Sequence, residues 1–154
     1  MRWNELETER CPVARTMSVI GDRWTVLILR DALRGASRFE EFHARLQCSR
    51  AIVAERLAGL VERGVLEREL YQERPPRHDY RLTEMGRSLA PILMTMVQWA
   101  ETWMPHPSGF RLERIHKPCG HAFNARLHCS ECGEPVGPGE VAYPGPALAE
   151  PVMT

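Results

Sequence analysis

Length, composition and charge limit what this chain can be. Its 154 residues suffice for one ordinary domain plus a small appendage, and a 44% apolar content excludes wholesale disorder. The opening sequence MRWNELETER has no apolar segment, and the longest mainly apolar run, residues 89–100, is too short to cross a bilayer, so we expect a cytosolic protein. The net charge is zero, so any nucleic-acid binding must depend on local geometry.

The first fifty residues carry signals for three helices. Apolar residues recur at helical spacing before Gly21 and again before Gly35, which predicts two helices. In the segment SRFEEF, Ser37 and Glu40 stand at the spacing of a capping box, which predicts the start of a third helix. Its apolar stripe runs out near Gln47, where we expect the third helix to end.

A fourth helix follows after a turn of barely two residues. Ser49 is a favourable N-cap for SRAIVAERLAGLVERG, apolar residues recur on one face, and Gly64 supplies a stop. Two short helices joined so tightly predict a helix-turn-helix.

The pattern then changes from helix to strand. VLERELY and HDYRL alternate apolar and polar residues, which predicts two paired strands. Their link, QERPPR, contains two prolines that stiffen an extended loop flanked by Arg74 and Arg77, so we expect a projecting wing. From Thr83 onward, helical spacing predicts one long helix, kinked at Pro91.

Several spaced motifs within residues 11–103 resemble those of one family. They are CPVARTMSVIGDRWTVLILRDAL, RFEEFHARL, SRAIVAERLAGLVERGVLER and PPRHDYRLTEMGRSLAP. This order resembles the HxlR family of bacterial winged-helix transcription regulators, which are relatives of MarR. The resemblance implies a fold that is mainly α with a small β wing (α+β), and a homodimer that binds an inverted repeat in double-stranded DNA.

The fourth helix holds the predicted DNA-reading residues. A helix fits the major groove, its N-terminal half reaches base edges, and a basic hairpin beside it reaches phosphates or the minor groove. The apolar stripe leaves one side of this helix exposed and available for DNA, and this side holds Ser49, Arg50, Ala51, Ala54 and Glu55. Arg50 is the candidate for a contact with guanine, and Ser49 for a contact with phosphate. The alternative is an ordinary solvated face, and Arg56 fits a DNA contact and a structural salt bridge equally well.

The first and last predicted helices carry more apolar surface than one small domain needs. Met96, Trp99, Trp103 and Met104 would fit a face that packs against a second copy of the chain, which would place two recognition helices one DNA turn apart. The alternative is that this face covers its own core. The resemblance favours the homodimer.

Cys11 is the candidate for a reactive thiol. It precedes Pro12 at a helix N-terminus, with Arg10 and Arg15 nearby, and this setting favours a thiolate. Some members of the resembled family use a cysteine in this position to sense oxidants or electrophiles. The alternative is a small buried residue at the dimer contact, and Cys48 fits core packing better than reactivity.

A cluster of metal-ligating residues, HKPCGHAFNARLHCSECGEP, begins at residue 116. His116-x2-Cys119-Gly and Cys129-x2-Cys132-Gly form two knuckles with the spacing of a small zinc ribbon, in a segment with few apolar residues. We therefore expect one structural Zn²⁺ per chain. His121 and His128 compete with His116 for the fourth position, and His116 is preferred because it repeats the x2 spacing.

These patterns predict three parts of the chain and one function. Residues 1–104 are expected to form the DNA-binding and dimerisation domain, residues 105–143 a zinc-ribbon-like β appendage, and residues 144–154 a tail without fixed structure. An enzyme is not expected, because no histidine is followed two places on by glutamate, as the zinc deaminase pattern requires. The alternative function is a protein-interaction module that does not bind specific DNA. The sequence leaves any small-molecule or redox effector unidentified.

Overall fold

The chain folds into two compact units. A computed structural model describes residues 3–144 and groups the chain into Met1–Ala90 and Pro91–Thr154. The boundary predicted after residue 104 lies further along the chain than this division, and the predicted domain limits stay a prediction. Residues 145–154 of the predicted tail lie outside the described residues.

The first unit is a helical domain with one β hairpin, which confirms the predicted mainly α fold with a β wing. A short 3-10 helix spans Trp3–Thr8. It is followed by α1 (Pro12–Ile20), α2 (Arg23–Leu33), α3 (Phe39–Leu46), α4 (Arg50–Glu62), β1 (Leu66–Gln72), β2 (Arg77–Leu82) and α5 (Glu84–Arg87). The strands β1 and β2 pair antiparallel, with Leu66 opposite Leu82. The segment before α3 joins the other edge of β2, where the Tyr80 amide donates to the Ser37 carbonyl at 2.7 Å.

Apolar faces of the helices and the first residues of β1 form the core of this unit. α3 and α4 are joined by a turn in which Gln47 adopts a left-handed conformation (φ 52°), so the two helices form the predicted helix-turn-helix. Buried side chains come from α2, α3, α4, the start of β1 and the residue before it: Ile28, Leu29, Phe42, Val53, Leu57, Leu60, Leu66 and Val65. Burial of this apolar surface fixes which side of α4 faces inward.

The predicted capping box at the start of α3 is wrong by one residue. Arg38 is the N-cap, and the carboxylate of Glu41 accepts from the amides of Ser37 (2.9 Å) and Arg38 (2.8 Å). These two hydrogen bonds lower the pKa of Glu41. The Ser37 hydroxyl instead donates to Asp79 on β2. Glu40 is thereby left out of the cap.

The single kinked helix predicted from Thr83 is also wrong, because two helices occupy this segment. α5 ends at Arg87, and α6 (Ala90–Trp103) begins two residues later. Pro91 lies in the first turn of α6, where its missing N–H costs no intrahelical hydrogen bond. The Thr83 hydroxyl caps α5 by accepting from the Gly86 amide at 3.1 Å.

The second unit contains nearly all of α6 and a small β appendage. A two-stranded antiparallel hairpin is formed by β3 (Ile115–His116) and β4 (His121–Ala122). Glu101 of α6 accepts from the Leu112 amide at 2.7 Å and pairs with Arg114 at 3.0 Å, and these contacts lower the pKa of its carboxyl. The segment before β3 is thus tied to α6. No helix among residues 3–144 is long and apolar enough to cross a bilayer.

Candidate DNA-binding surface and metal-ligand turns

The N-terminal half of α4 presents the predicted reading face to solvent. Val53 and Leu57 are buried, whereas the opposite side is exposed and consists of Ser49, Arg50, Ala51, Ala54 and Glu55. Ser49 caps the helix as predicted, since its hydroxyl accepts from the Ile52 amide at 3.3 Å. The hydroxyl proton of Ser49 remains available for a phosphate oxygen.

Arg50 is held by an ion pair within the helix-turn-helix. Its Nη1 lies 2.8 Å from Glu40 Oε2 and its Nη2 lies 2.7 Å from Glu40 Oε1, so both terminal nitrogens donate hydrogen bonds to the carboxylate. The guanidinium also stacks over the ring of Phe39, with 4.6 Å between its central carbon and the ring centroid. The hydrogen bond from Arg50 lowers the pKa of Glu40, and the charges of Arg50, His43 and Arg77 lower it further.

The wing contributes two arginines, as predicted. Arg74 lies at the tip, exposed, and its side chain has no ion pair or hydrogen bond to any of the residues that the structure describes. Arg77 begins β2 and lines a cleft of about 590 Å³ that the wing forms with the start of α3 and α4. Arg38, Arg50 and His78 also line this cleft, together with Glu40 and Glu41, so three arginines face two glutamates there.

Two residues of this surface were not identified from the sequence. Arg38 lies 3.7 Å from Asp79 and stacks over Tyr71 at 5.0 Å, contacts that hold it beside the wing. Glu40 faces Arg50 from the neighbouring helix. Neither role has a local signal, because each partner lies ten or more residues away along the chain.

Arg56 occupies a different position from the reading face. Its Nε lies 3.0 Å from Asp22 Oδ1, and its Nη1 lies 3.1 Å from Glu55. Asp22 caps α2 by accepting from the amides of Trp24 and Thr25. Arg56 therefore joins α4 to the start of α2, which matches the structural alternative for this residue. A DNA contact by Arg56 stays a prediction.

Two helices display large apolar side chains. On α6, Trp99 is 58% exposed and Trp103 72% exposed, and Met96 on the helix and Met104 just after it are also exposed. On α1, Val13 is exposed as well. The two tryptophans and two methionines are the residues for which the sequence predicts a face between two copies of the chain.

The two upstream cysteines are both half-buried. Cys11 is the N-cap residue of α1, and its side chain makes no capping hydrogen bond. Arg15 donates through Nη1 to the carbonyls of Glu9 (2.7 Å) and Arg10 (2.9 Å), so its charge is held on the loop that precedes Cys11. Cys48 lies in the turn between α3 and α4.

The first predicted knuckle is a tight turn between β3 and β4. The His116 carbonyl accepts from the amides of Cys119 (3.2 Å) and Gly120 (2.8 Å), and Gly120 has φ 71°. His116 Nδ1 and Cys119 Sγ lie 3.2 Å apart. The turn thus brings the two predicted ligands together, with the exposed His121 opposite His116 in the hairpin.

The second predicted knuckle has a similar turn. The Cys129 carbonyl accepts from the Gly133 amide at 2.9 Å, and Gly133 has φ 75°. The backbone amides of Cys132 and Glu131 and the Cys132 side chain lower the pKa of Cys129 by hydrogen bonding to its sulfur. The Nδ1 of His128 is engaged, since it lies 2.9 Å from the Gly133 carbonyl.

The two knuckles do not meet. Within residues 3–144, no three or more His, Cys, Asp and Glu side chains are placed to share one metal ion. His116 with Cys119, and Cys129 with Cys132, are therefore two separate pairs of candidate ligands.

Comparison with known proteins gives consistent matches. The model of HxlR-like helix-turn-helix proteins matches residues 19–108. An HTH-type transcriptional regulator of Mycobacterium tuberculosis (strain CDC 1551 / Oshkosh) is 39% identical over 137 residues, which cover 88% of this chain and 87% of that protein. The crystal structure of PA1607, a proposed transcription factor, is 34% identical with a TM-score of 0.79, and the match covers 89% of this chain and 96% of that one. The redox regulator HypR in its oxidized form is 35% identical with a TM-score of 0.55, over 60% of this chain and 96% of that one.

Proposed function

This chain belongs to the HxlR-like helix-turn-helix family of transcriptional regulators, and from this premise we propose that it binds an inverted-repeat DNA operator as a homodimer. α4 would enter the major groove, with Arg50 reading guanine and Ser49 holding a phosphate. The wing would place Arg74 and Arg77 on the backbone or in the minor groove. The observation that carries this proposal is the exposed face of α4 beside a cleft to which the wing and the helix-turn-helix contribute three arginines.

The homodimer rests on the apolar surface of α6. Two exposed tryptophans one helical turn apart, Trp99 and Trp103, form an apolar stripe with Met96 on this helix and Met104 at its end. Large contiguous apolar surfaces mark interaction sites, and aromatic and methionine side chains are enriched in them. A second copy would cover this stripe and supply the two-fold symmetry that an inverted repeat requires.

Two measurements on the purified protein test this proposal. Fluorescence anisotropy with duplexes tiled across the protein's own promoter region should reveal one that is bound more tightly than a random duplex of equal composition. Light scattering after size exclusion should give the mass of a dimer. A monomer that binds all duplexes equally at physiological salt would contradict the proposal and favour the protein-interaction module.

We also propose that Cys11 responds to oxidants. Three observations support this proposal. Cys11 lies at the N-terminus of α1, the Arg15 side chain hydrogen-bonds to the loop that precedes it, and the chain is similar to a redox regulator. Oxidation of this thiol would change the packing at the start of α1. Such a regulator acts on the chromosome, and we propose the cytoplasm as its location.

We propose, further, that the appendage binds one structural Zn²⁺ through His116, Cys119, Cys129 and Cys132. The support is the pair of tight turns, each with two candidate ligands and a glycine in the left-handed region. Because the pairs lie apart, binding would require the two turns to approach each other, and the free energy of coordination would drive that approach.

A further inference from the structure

The ion pair with Glu40 occupies the two terminal guanidinium nitrogens with which Arg50 would contact a base. Both terminal nitrogens of the guanidinium donate to the carboxylate, at 2.8 and 2.7 Å. An arginine that reads guanine donates two parallel hydrogen bonds to O6 and N7, and one that grips a phosphate uses the same fork. In the free protein, the two oxygens of Glu40 thus take the place of the DNA acceptors.

The positions of the two residues in the helix-turn-helix make this pairing favourable without DNA. Arg50 is the first residue of α4, and Glu40 lies in the first turn of α3, where the helix dipole favours a carboxylate. Phe39 supports the guanidinium from one side. Glu40 is free for this role because Glu41 forms the cap of α3.

The pair is exposed, so DNA can displace it. The Arg50 side chain is 60% exposed and the Glu40 side chain 69% exposed, and solvent screening keeps such pairs weak. A guanine edge returns two well-aligned hydrogen bonds in exchange for the two that are lost. A phosphate on random DNA offers a charge that Glu40 already supplies, and Glu40 itself repels the phosphate.

We propose that Glu40 is a specificity-determining residue that competes with DNA for Arg50. It lowers the affinity for every duplex by occupying the guanidinium, and a guanine edge recovers more of that loss than a phosphate, because Glu40 repels the phosphate. The carboxylate therefore weakens non-specific binding more than operator binding. This inference rests on the proposed DNA-binding function.

Glu40→Gln tests the competition, with Glu7→Gln as the matched control. Glu7 pairs with Arg63 at 2.8 Å, and its replacement changes the net charge equally at a site that does not line the cleft. Anisotropy titrations at several salt concentrations would use the preferred promoter duplex and a random duplex. Glu40→Gln should tighten random binding by about three- to tenfold, tighten promoter binding less, and steepen the salt dependence by about one unit of slope. Glu7→Gln should change neither duplex by as much as twofold.

A second pair of variants shows whether the effect passes through Arg50. On an Arg50→Ala background, Glu40→Gln should no longer tighten binding to random DNA, because the fork for which Glu40 competes is gone. An equal gain on that background would overturn the proposal in favour of general charge repulsion. Weaker promoter binding by Glu40→Gln, with an unchanged thermal unfolding midpoint, would overturn it by making Glu40 a support for Arg50. If the wild type binds no duplex preferentially, the proposed DNA-binding function is contradicted. If the wild type prefers one duplex but Glu40→Gln does not change binding, only the inference about Glu40 is contradicted.

Discussion

Arg56 on α4 forms an ion pair with Asp22 at the start of α2, with 3.0 Å between Nε and Oδ1. Asp22 also accepts from two backbone amides of α2, so one carboxylate caps a helix and binds the neighbouring one. The pair lines a second cavity, of about 630 Å³, away from the cleft beside the wing. This arrangement makes Arg56 a link between helices of the core.

Arg56→Ala should lower the free energy of unfolding and leave the salt dependence of DNA binding unchanged. We expect a loss of about 1 kcal/mol in urea denaturation, because both side chains are half-buried and their charged atoms lie 3.0 Å apart. Arg63→Ala is the control, since it removes a more exposed pair with Glu7 and should cost less than about 0.5 kcal/mol. A shallower salt dependence with unchanged stability would instead identify Arg56 as a phosphate contact.

Gly86→Ala should destabilise the first unit through a direct clash. A Cβ at this position would lie 2.2 Å from the Val65 carbonyl oxygen and 2.8 Å from Leu82 Cδ2, and the backbone cannot yield as a flexible side chain does. We expect a loss of about 1–3 kcal/mol in the free energy of unfolding.

Gly59→Ala is the matched control for Gly86→Ala. Gly59 lies inside α4 with nothing within 4 Å of the added carbon. Alanine there should raise the free energy of unfolding by about 0.5–1 kcal/mol, because glycine loses more backbone entropy in a helix. Equal effects of the two substitutions would contradict the close approach between α5 and Val65.

The sequence predicts the helix-turn-helix and the wing well because their signals are local. Ser49 caps α4, Gly64 follows its end with φ 69°, and the two predicted strands pair as an antiparallel hairpin. The sequence pattern places the start of α3 one residue too early because Ser37 hydrogen-bonds to β2, more than forty residues away. Capping rules consider only neighbouring residues, so they cannot predict a contact of this kind.

The same one-residue shift explains why the partner of Arg50 could not be predicted. In the sequence, Glu40 stands at the spacing of a capping box with Ser37, and this local pattern gave it a structural role. Only after Glu41 takes the cap does Glu40 become available to the next helix. Packing between elements decides such pairs, and single-sequence patterns do not record it.

Arg74→Ala should weaken binding to all duplexes by a similar factor. Arg74 is exposed at the tip of the wing with no ion pair to any described residue, so its charge is available for phosphate. We expect the slope of log affinity against log salt to become shallower by about one unit. Arg50→Ala is the contrasting variant, because loss of a base contact should cost about 1–3 kcal/mol at the preferred duplex and less elsewhere. A selective loss in Arg74→Ala would instead make the wing a reader of sequence.

Cys11→Ser should make DNA binding insensitive to mild oxidation. If the thiol at the N-cap of α1 is the sensor, peroxide or a quinone should release the promoter duplex from the wild type and leave the variant bound. Zinc content must be followed in the same samples, because the cysteines of the appendage also oxidise. Identical release curves for wild type and variant would assign Cys11 to packing.

The last prediction concerns metal in the C-terminal appendage. Elemental analysis of protein purified without chelator should give about one zinc per chain, because two knuckles supply four ligands with no open position. Cys129→Ser and Cys132→Ser should lose the metal, whereas Cys48→Ser, in the helix-turn-helix, should keep it. The zinc-free variants should still bind DNA, because the buried side chains of the DNA-binding domain lie upstream of the appendage.

Two histidine variants identify the fourth ligand. His116 lies 3.2 Å from Cys119 and repeats the x2 spacing of the other knuckle, so His116→Ala should weaken zinc binding more than His128→Ala. The opposite order would identify His128 as the fourth ligand. If neither substitution weakens zinc binding, the remaining candidate is His121, which faces His116 across the hairpin. Hydrogen exchange of residues 111–143 should slow when zinc is added to the metal-free protein, because coordination draws the two turns together. The proposed zinc site would be contradicted by two results together. The purified protein would contain no metal and its three appendage cysteines would all react as free thiols, and added zinc would leave its hydrogen exchange unchanged.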